Sequence, residues 1–140
     1  MKAVPVLPAL LGLILVLPFL FAAGAIFGLF VPPRAYWTDP YAILNSYGAI
    51  FLAMLGGAYW GFAAKRANIL DVLIALVPPF AALGAALTPT PVLSFAIAIA
   101  GMLVFDLIYI LRSIAPGWWL PWRIYTGIVA CGALVYAYYA

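Results

Sequence analysis

The side chains able to do chemistry are few in this 140-residue sequence: three acids, six Lys or Arg, one cysteine and no histidine. Asp106 is the most informative of them, because it lies inside a long apolar run from Pro91 to Leu111. If that run is a helix, Asp106 sits about five residues, or roughly 8 Å, from its end at 1.5 Å per residue. A carboxylate at such depth in an apolar medium must face protein and find a partner. Arg123, at the start of the next apolar run, can reach back toward it across a short loop. The pair has two readings: a proton or cation site, or an ion pair that holds two helices in register. A proton path needs a relay, and the core is expected to hold neither a second acid nor a histidine, so the structural reading is preferred. Asp71 is expected at the membrane interface near Lys65 and Arg66, as a surface partner or helix cap.

Little else points to catalysis. No nucleophile has a base nearby, no glycine loop suits a phosphate, and no cluster has metal-ligand spacing. The expectation is no enzyme, no cofactor and no metal site. Cys131 reads as a small buried hydrophobe. Six cations are too few for a nucleic-acid footprint.

These residues are set in a chain that is 70% hydrophobic and 6% charged. Soluble domains are about 45–50% apolar and about 25% charged, so the solvent here must be lipid. A helix needs roughly 20 apolar residues to cross the hydrocarbon. Five segments qualify, at residues 6–31, 41–64, 69–87, 91–111 and 121–139. The expected fold is therefore an all-α integral membrane bundle of about five transmembrane helices in one domain. Val31-Pro32-Pro33-Arg34 ends the first segment, and Asp39-Pro40 reads as a cap with proline at the first helical position of the second. Short loops elsewhere make sequential helices antiparallel neighbours.

Within the segments, Gly57 and Gly61 form a G-x-x-x-G step, and Gly24 with Gly28 forms another. Small residues let helices approach closely, so these steps predict helix contacts, either internal or with another subunit. Trp60 between them reads as a contact or interface anchor. Pro78-Pro79 and Pro18 predict kinks, although a broken helix can also mark a transporter site. Asn45, Ser46, Tyr47 and Ser94 would hydrogen-bond between helices or line a shallow vestibule.

Five spans place Lys2, Lys65, Arg66, Arg112 and Arg123 on one side of the membrane and Arg34 alone on the other. The positive-inside rule then puts the N-terminus in the cytoplasm and the C-terminus outside it. Tyr36, Trp37, Tyr41, Tyr136, Tyr138 and Tyr139 are expected to form one aromatic belt, and Tyr109, Trp118, Trp119, Trp122 and Tyr125 the other. Ala23-Gly24-Ala25 resembles a signal-peptide cleavage site, but the apolar run is too long and continues beyond it. With no mitochondrial transit peptide before the first helix, a bacterial inner membrane is the expected location.

Several landmarks together resemble domain of unknown function family 3429, which includes transmembrane protein 69. They are Leu11-Gly12 with Leu17-Pro18-Phe19, Tyr47-Gly48-Ala49 through Gly56-Gly57 to Trp60-Gly61, Asp106, and the Pro116 or Pro121, tryptophan, Arg123 and Thr126 ending. The Trp118-Trp119-Leu120-Pro121-Trp122 run departs from the family spacing. The resemblance implies a small multi-helix membrane protein with a shared Asp106–Arg123 pair, and no agreed activity.

The expected role is an accessory or scaffold subunit, partnered by the lipid bilayer and by other membrane subunits, with a homo-oligomer as a further arrangement. The competing role is a small oligomeric transporter or channel that uses Asp106 for coupling or selectivity.

Overall fold

A computed structural model describes residues 3–31, 39–66 and 68–140. Lys2, Arg34, Tyr36, Trp37 and the Pro32-Pro33 break lie outside the described residues. Five helices carry the fold: α1 (Val6–Ile26), α2 (Pro40–Ala63), α3 (Ile69–Ala86), α4 (Pro91–Leu111) and α5 (Trp119–Tyr139). All five are long and apolar enough to cross a membrane, and no strand occurs among the described residues. This is a multi-pass helical membrane bundle.

The helix ends follow local chemistry. Asp39 caps α2 by accepting from the Tyr41 N–H at 2.9 Å, with Pro40 at the first position. Asn68 caps α3 in the same way, accepting from the Leu70 N–H at 2.9 Å. The largest departure from expectation is α1, which ends at Ile26 rather than at residue 31. Gly28 has φ +80°, and the N–H groups of Leu29 and Gly28 return to the carbonyls of Gly24 and Ala25. That is a Schellman stop, in which glycine supplies the left-handed residue. The Gly24–Gly28 step is therefore a helix terminus and not a helix-packing motif.

Neighbouring helices touch in a closed order, α1–α2–α3–α4–α5 and back to α1, with α2 and α4 also in contact across the middle. Inter-helix bonds gather the starts of α1, α3 and α5 and the ends of α2 and α4 at one end of the bundle. Sequential helices thus run antiparallel, as the short loops require. Phe19, Leu44, Phe51, Leu52, Ile99 and Leu134 fill the centre. Leu7, Leu17, Phe80, Leu83, Ile97 and Ile128 stand on the outside, an apolar exterior that only lipid or another apolar surface can solvate.

Gly48 and Gly56 set the spacing around α2. A Cβ on Gly48 would come within 2.7 Å of the Phe95 ring, and one on Gly56 within 2.7 Å of Pro79 Cδ. α3 is unbroken through Pro78-Pro79. The Pro79 ring leaves Ala75 O without its helical donor, and Gly56 packs against that carbonyl as well, at 3.3 Å from an added Cβ. The diproline is thus part of the α2–α3 contact.

Candidate functional site: a buried carboxylate joining three helices

Asp106 is fully buried on the last turns of α4. Its Oδ2 accepts from Arg123 Nε at 2.9 Å, so the expected pair is present and bridges α4 to α5. Its Oδ1 accepts from two further donors, Tyr59 Oη at 2.8 Å and Trp119 Nε1 at 2.5 Å. Tyr59 also lies 3.1 Å from Met102 O, so its single proton is shared between carboxylate and carbonyl. Three helices, α2, α4 and α5, therefore converge on one carboxylate through charge-assisted bonds, which are roughly twice as strong as neutral ones.

Arg123 is equally enclosed. Its Nη2 points to Ile99 O at 3.4 Å and its guanidinium carbon lies 5.4 Å from the Phe51 ring centroid, a cation–π contact. Nη1 has no partner. Thr126, one turn on, turns its hydroxyl back to the Trp122 carbonyl at 3.0 Å, and so adds no ligand to the site.

A second ion pair stands beside the first. Asp71 is fully buried, and Arg112 Nη1 donates to its Oδ1. The expected role as a surface partner or helix cap is corrected: the side chain is enclosed and paired with Arg112, and Asn68 is the residue that caps α3. Asp71 lies in the first turn of α3 and Arg112 is the C-terminal cap of α4, and antiparallel packing brings those ends together. An acid at a helix start and a cation at a helix end also each suit the local dipole. Asp71 Oδ2 has no hydrogen-bond partner among the described residues, while Tyr109 Oη donates to the Asp71 carbonyl at 2.9 Å. The rings of Tyr59 and Tyr109, 5.0 Å apart, lie between the two pairs. The core thus holds a second acid, which the sequence reading did not expect.

The aromatic belt is corrected in the same region. Trp119, Trp122 and Tyr109 are 6%, 9% and 0% exposed, so they face protein rather than headgroups. Internal acceptors explain this: Trp122 Nε1 donates to Pro8 O at 2.7 Å, tying α5 to α1. Gly12 makes room, since a Cβ there would lie 2.5 Å from Trp122 Nε1. A buried indole or phenol needs such a partner, but nothing local in the sequence identifies it.

An added Cβ on Gly57 or Gly61 would meet nothing within 4 Å among the described residues, so neither marks a close internal contact there. Trp60 beside them is 54% exposed. The internal version of the predicted contact belongs instead to Gly56. The polar residues near the other membrane side do not converge either. Ser94 pairs with Thr88, Tyr47 meets Phe19 edge-on, and Asn45 Oδ1 is buried without a partner among the described residues. Cys131 Sγ lies 3.4 Å from Ala96 O.

A family model described as protein of unknown function (DUF3429) matches residues 4–139, nearly the whole chain. No curated protein and no solved structure matches, and the narrower likeness to transmembrane protein 69 is not shown. The chain belongs to the DUF3429 family.

Proposed function

We propose that this family member is an accessory or scaffold subunit that packs against a larger membrane complex, with Asp106–Arg123 as a structural ion pair. One observation carries the reading: three donors, Tyr59 from α2 and Trp119 and Arg123 from α5, converge on the Asp106 carboxylate of α4 and tie the three helices together. A coupling carboxylate must exchange a partner during its cycle. This one is fully engaged as a fastener. The outward face of α2, with Gly57, Trp60 and Gly61, supplies a close-approach surface for another helix.

The location that fits is a bacterial inner membrane. Lys65, Arg66, Arg112 and Arg123 share the end of the bundle where α1, α3 and α5 start, which argues for a cytoplasmic N-terminus and a periplasmic C-terminus.

The test is purification from the native source in mild detergent, followed by mass spectrometry of what accompanies the chain. Partners in fixed stoichiometry support the subunit role, and a lone chain or homo-oligomer overturns it. The second reading, an oligomeric transporter or channel using Asp106, draws on Arg123 Nη1, unpartnered among the described residues, and on the second buried acid, Asp71. It requires ion or proton flux in reconstituted vesicles that Asp106→Asn abolishes.

A further inference from the structure

Arg123, Gly127 and Cys131 follow one another on successive turns of α5, along one face of the helix. Arg123 Nη2 donates to the Ile99 carbonyl and Cys131 Sγ to the Ala96 carbonyl, each at 3.4 Å, so the first and last of the three both reach α4. Gly127 between them is buried, yet it is not a close-approach glycine. Apart from the helix's own backbone, a Cβ there would meet only Arg123 Nη1 among the described residues, at 3.7 Å, an ordinary van der Waals contact. The packing therefore has room for a methyl that the sequence does not place there. Nη1 is the atom that faces this room. Arg123 is fully buried, and Nη1 has no hydrogen-bond partner among the described residues. A buried guanidinium N–H left unpaired carries its full desolvation cost.

We propose that a water molecule seated against Gly127 is a built part of the α4–α5 interface, accepting from Arg123 Nη1 and donating to α4. Two independent observations meet at this point, a buried donor with nothing to bond and a buried glycine with room in front of it. Buried waters typically make about three hydrogen bonds. The Ile99 and Ala96 carbonyls, one turn apart on α4, already accept from α5 side chains, so both turn toward α5 and stand as acceptors for the water's protons. The chemistry excludes charged occupants. A cation is repelled by the guanidinium, and an anion would add a second negative charge to a buried pair that Asp106 already neutralises. The glycine then has a stated purpose: it keeps the water's seat clear. The inference goes beyond the subunit role and does not depend on it, because every group it uses lies within one chain.

The experiment pairs two substitutions with a direct view of the water in the full chain in detergent. On helix propensity alone, Gly127→Ala should raise the melting temperature, since the methyl fits and alanine is the better helix former. With a water in place the sign reverses. The methyl takes the seat and leaves Nη1 bare, so the melting temperature should fall by about 3–6 °C. Gly127→Ser should stay close to wild type, because its hydroxyl takes the water's place, accepting from Nη1 and donating back to its own helix. In the protein labelled with 15N-arginine, the Arg123 guanidinium protons should show a water cross-peak of opposite sign in NOE and ROE spectra. That sign distinguishes a resident water from proton exchange, and the peak should vanish in both variants. Gly127→Ala at or above wild-type stability overturns the proposal. So does Gly127→Ser less stable than Gly127→Ala, or a wild-type spectrum with exchange alone or no water peak. The wild-type spectrum decides the matter even if Gly127→Ala fails to fold.

Discussion

Trp119 donates its indole N–H to Asp106 Oδ1 at 2.5 Å, thirteen residues apart in sequence and on consecutive helices. The same oxygen receives the Tyr59 phenol from α2, and the other oxygen receives Arg123. Because the carboxylate is enclosed, its strength as a link depends on all three donors remaining in place.

Asp106→Asn should therefore destabilise the bundle. It leaves the Arg123 charge buried and unpaired, for which a loss of about 3–5 kcal/mol is typical. Thermal unfolding in detergent is the measurement. Asp106→Leu combined with Arg123→Met should recover much of the loss, because a buried pair replaced by apolar groups is often neutral. An unchanged melting temperature in Asp106→Asn, together with a lost activity, would defeat the structural reading.

Tyr59→Phe removes one donor and leaves the ring contact with Tyr109 able to form. A hydrogen bond to a charged group contributes about 1.5–3 kcal/mol. A loss in that range is expected, smaller than for Asp106→Asn. A Tyr59→Phe variant as stable as wild type would mean that Trp119 and Arg123 suffice.

Two adjacent glycines should respond oppositely. Gly56→Ala forces a methyl against the stiff Pro79 ring and should cost about 1–3 kcal/mol by overpacking. Gly57→Ala meets nothing among the described residues and should be neutral, or gain up to about 1 kcal/mol from helix propensity. Unfolding of the purified single chain reads both. If Gly57 contacts a partner, Gly57→Ala should in addition weaken co-purification without lowering the chain's own stability.

Ser113 has φ 55°, and the N–H groups of Ile114 and Ser113 return to the carbonyls of Tyr109 and Ile110. This is a Schellman end to α4 with serine where glycine is usual. Left-handed backbone costs an L-residue about 1–2 kcal/mol, so Ser113→Gly should raise stability by a part of that. A lower melting temperature would show that the serine contributes something its backbone geometry does not explain.

Reporter fusions test the topology. With five spans, a reporter before Met1 should be cytoplasmic and one after Ala140 should lie outside. Two cytoplasmic termini would mean that one of the five helices does not cross.

Read along the chain, composition and segment length were enough to establish a lipid environment, five helices, their antiparallel order and most boundaries. Those properties are local, or follow from the bilayer's thickness. The Asp106–Arg123 pair was legible too, because a short loop joins its helices and a deep charge needs a partner. Asp71 with Arg112 could have been found by the same step, since antiparallel order places the start of α3 beside the end of α4. What the tertiary structure alone decided is the rotation of each helix about its axis. It turned Tyr59 and Trp119 onto the carboxylate, chose Gly56 over Gly57 as the inner glycine, and buried Trp122 against Pro8. A soluble helix shows its inner face by being polar on the other. Here lipid and core are both apolar, so the sequence carries little contrast between faces, and only packing between helices sets which residues turn inward.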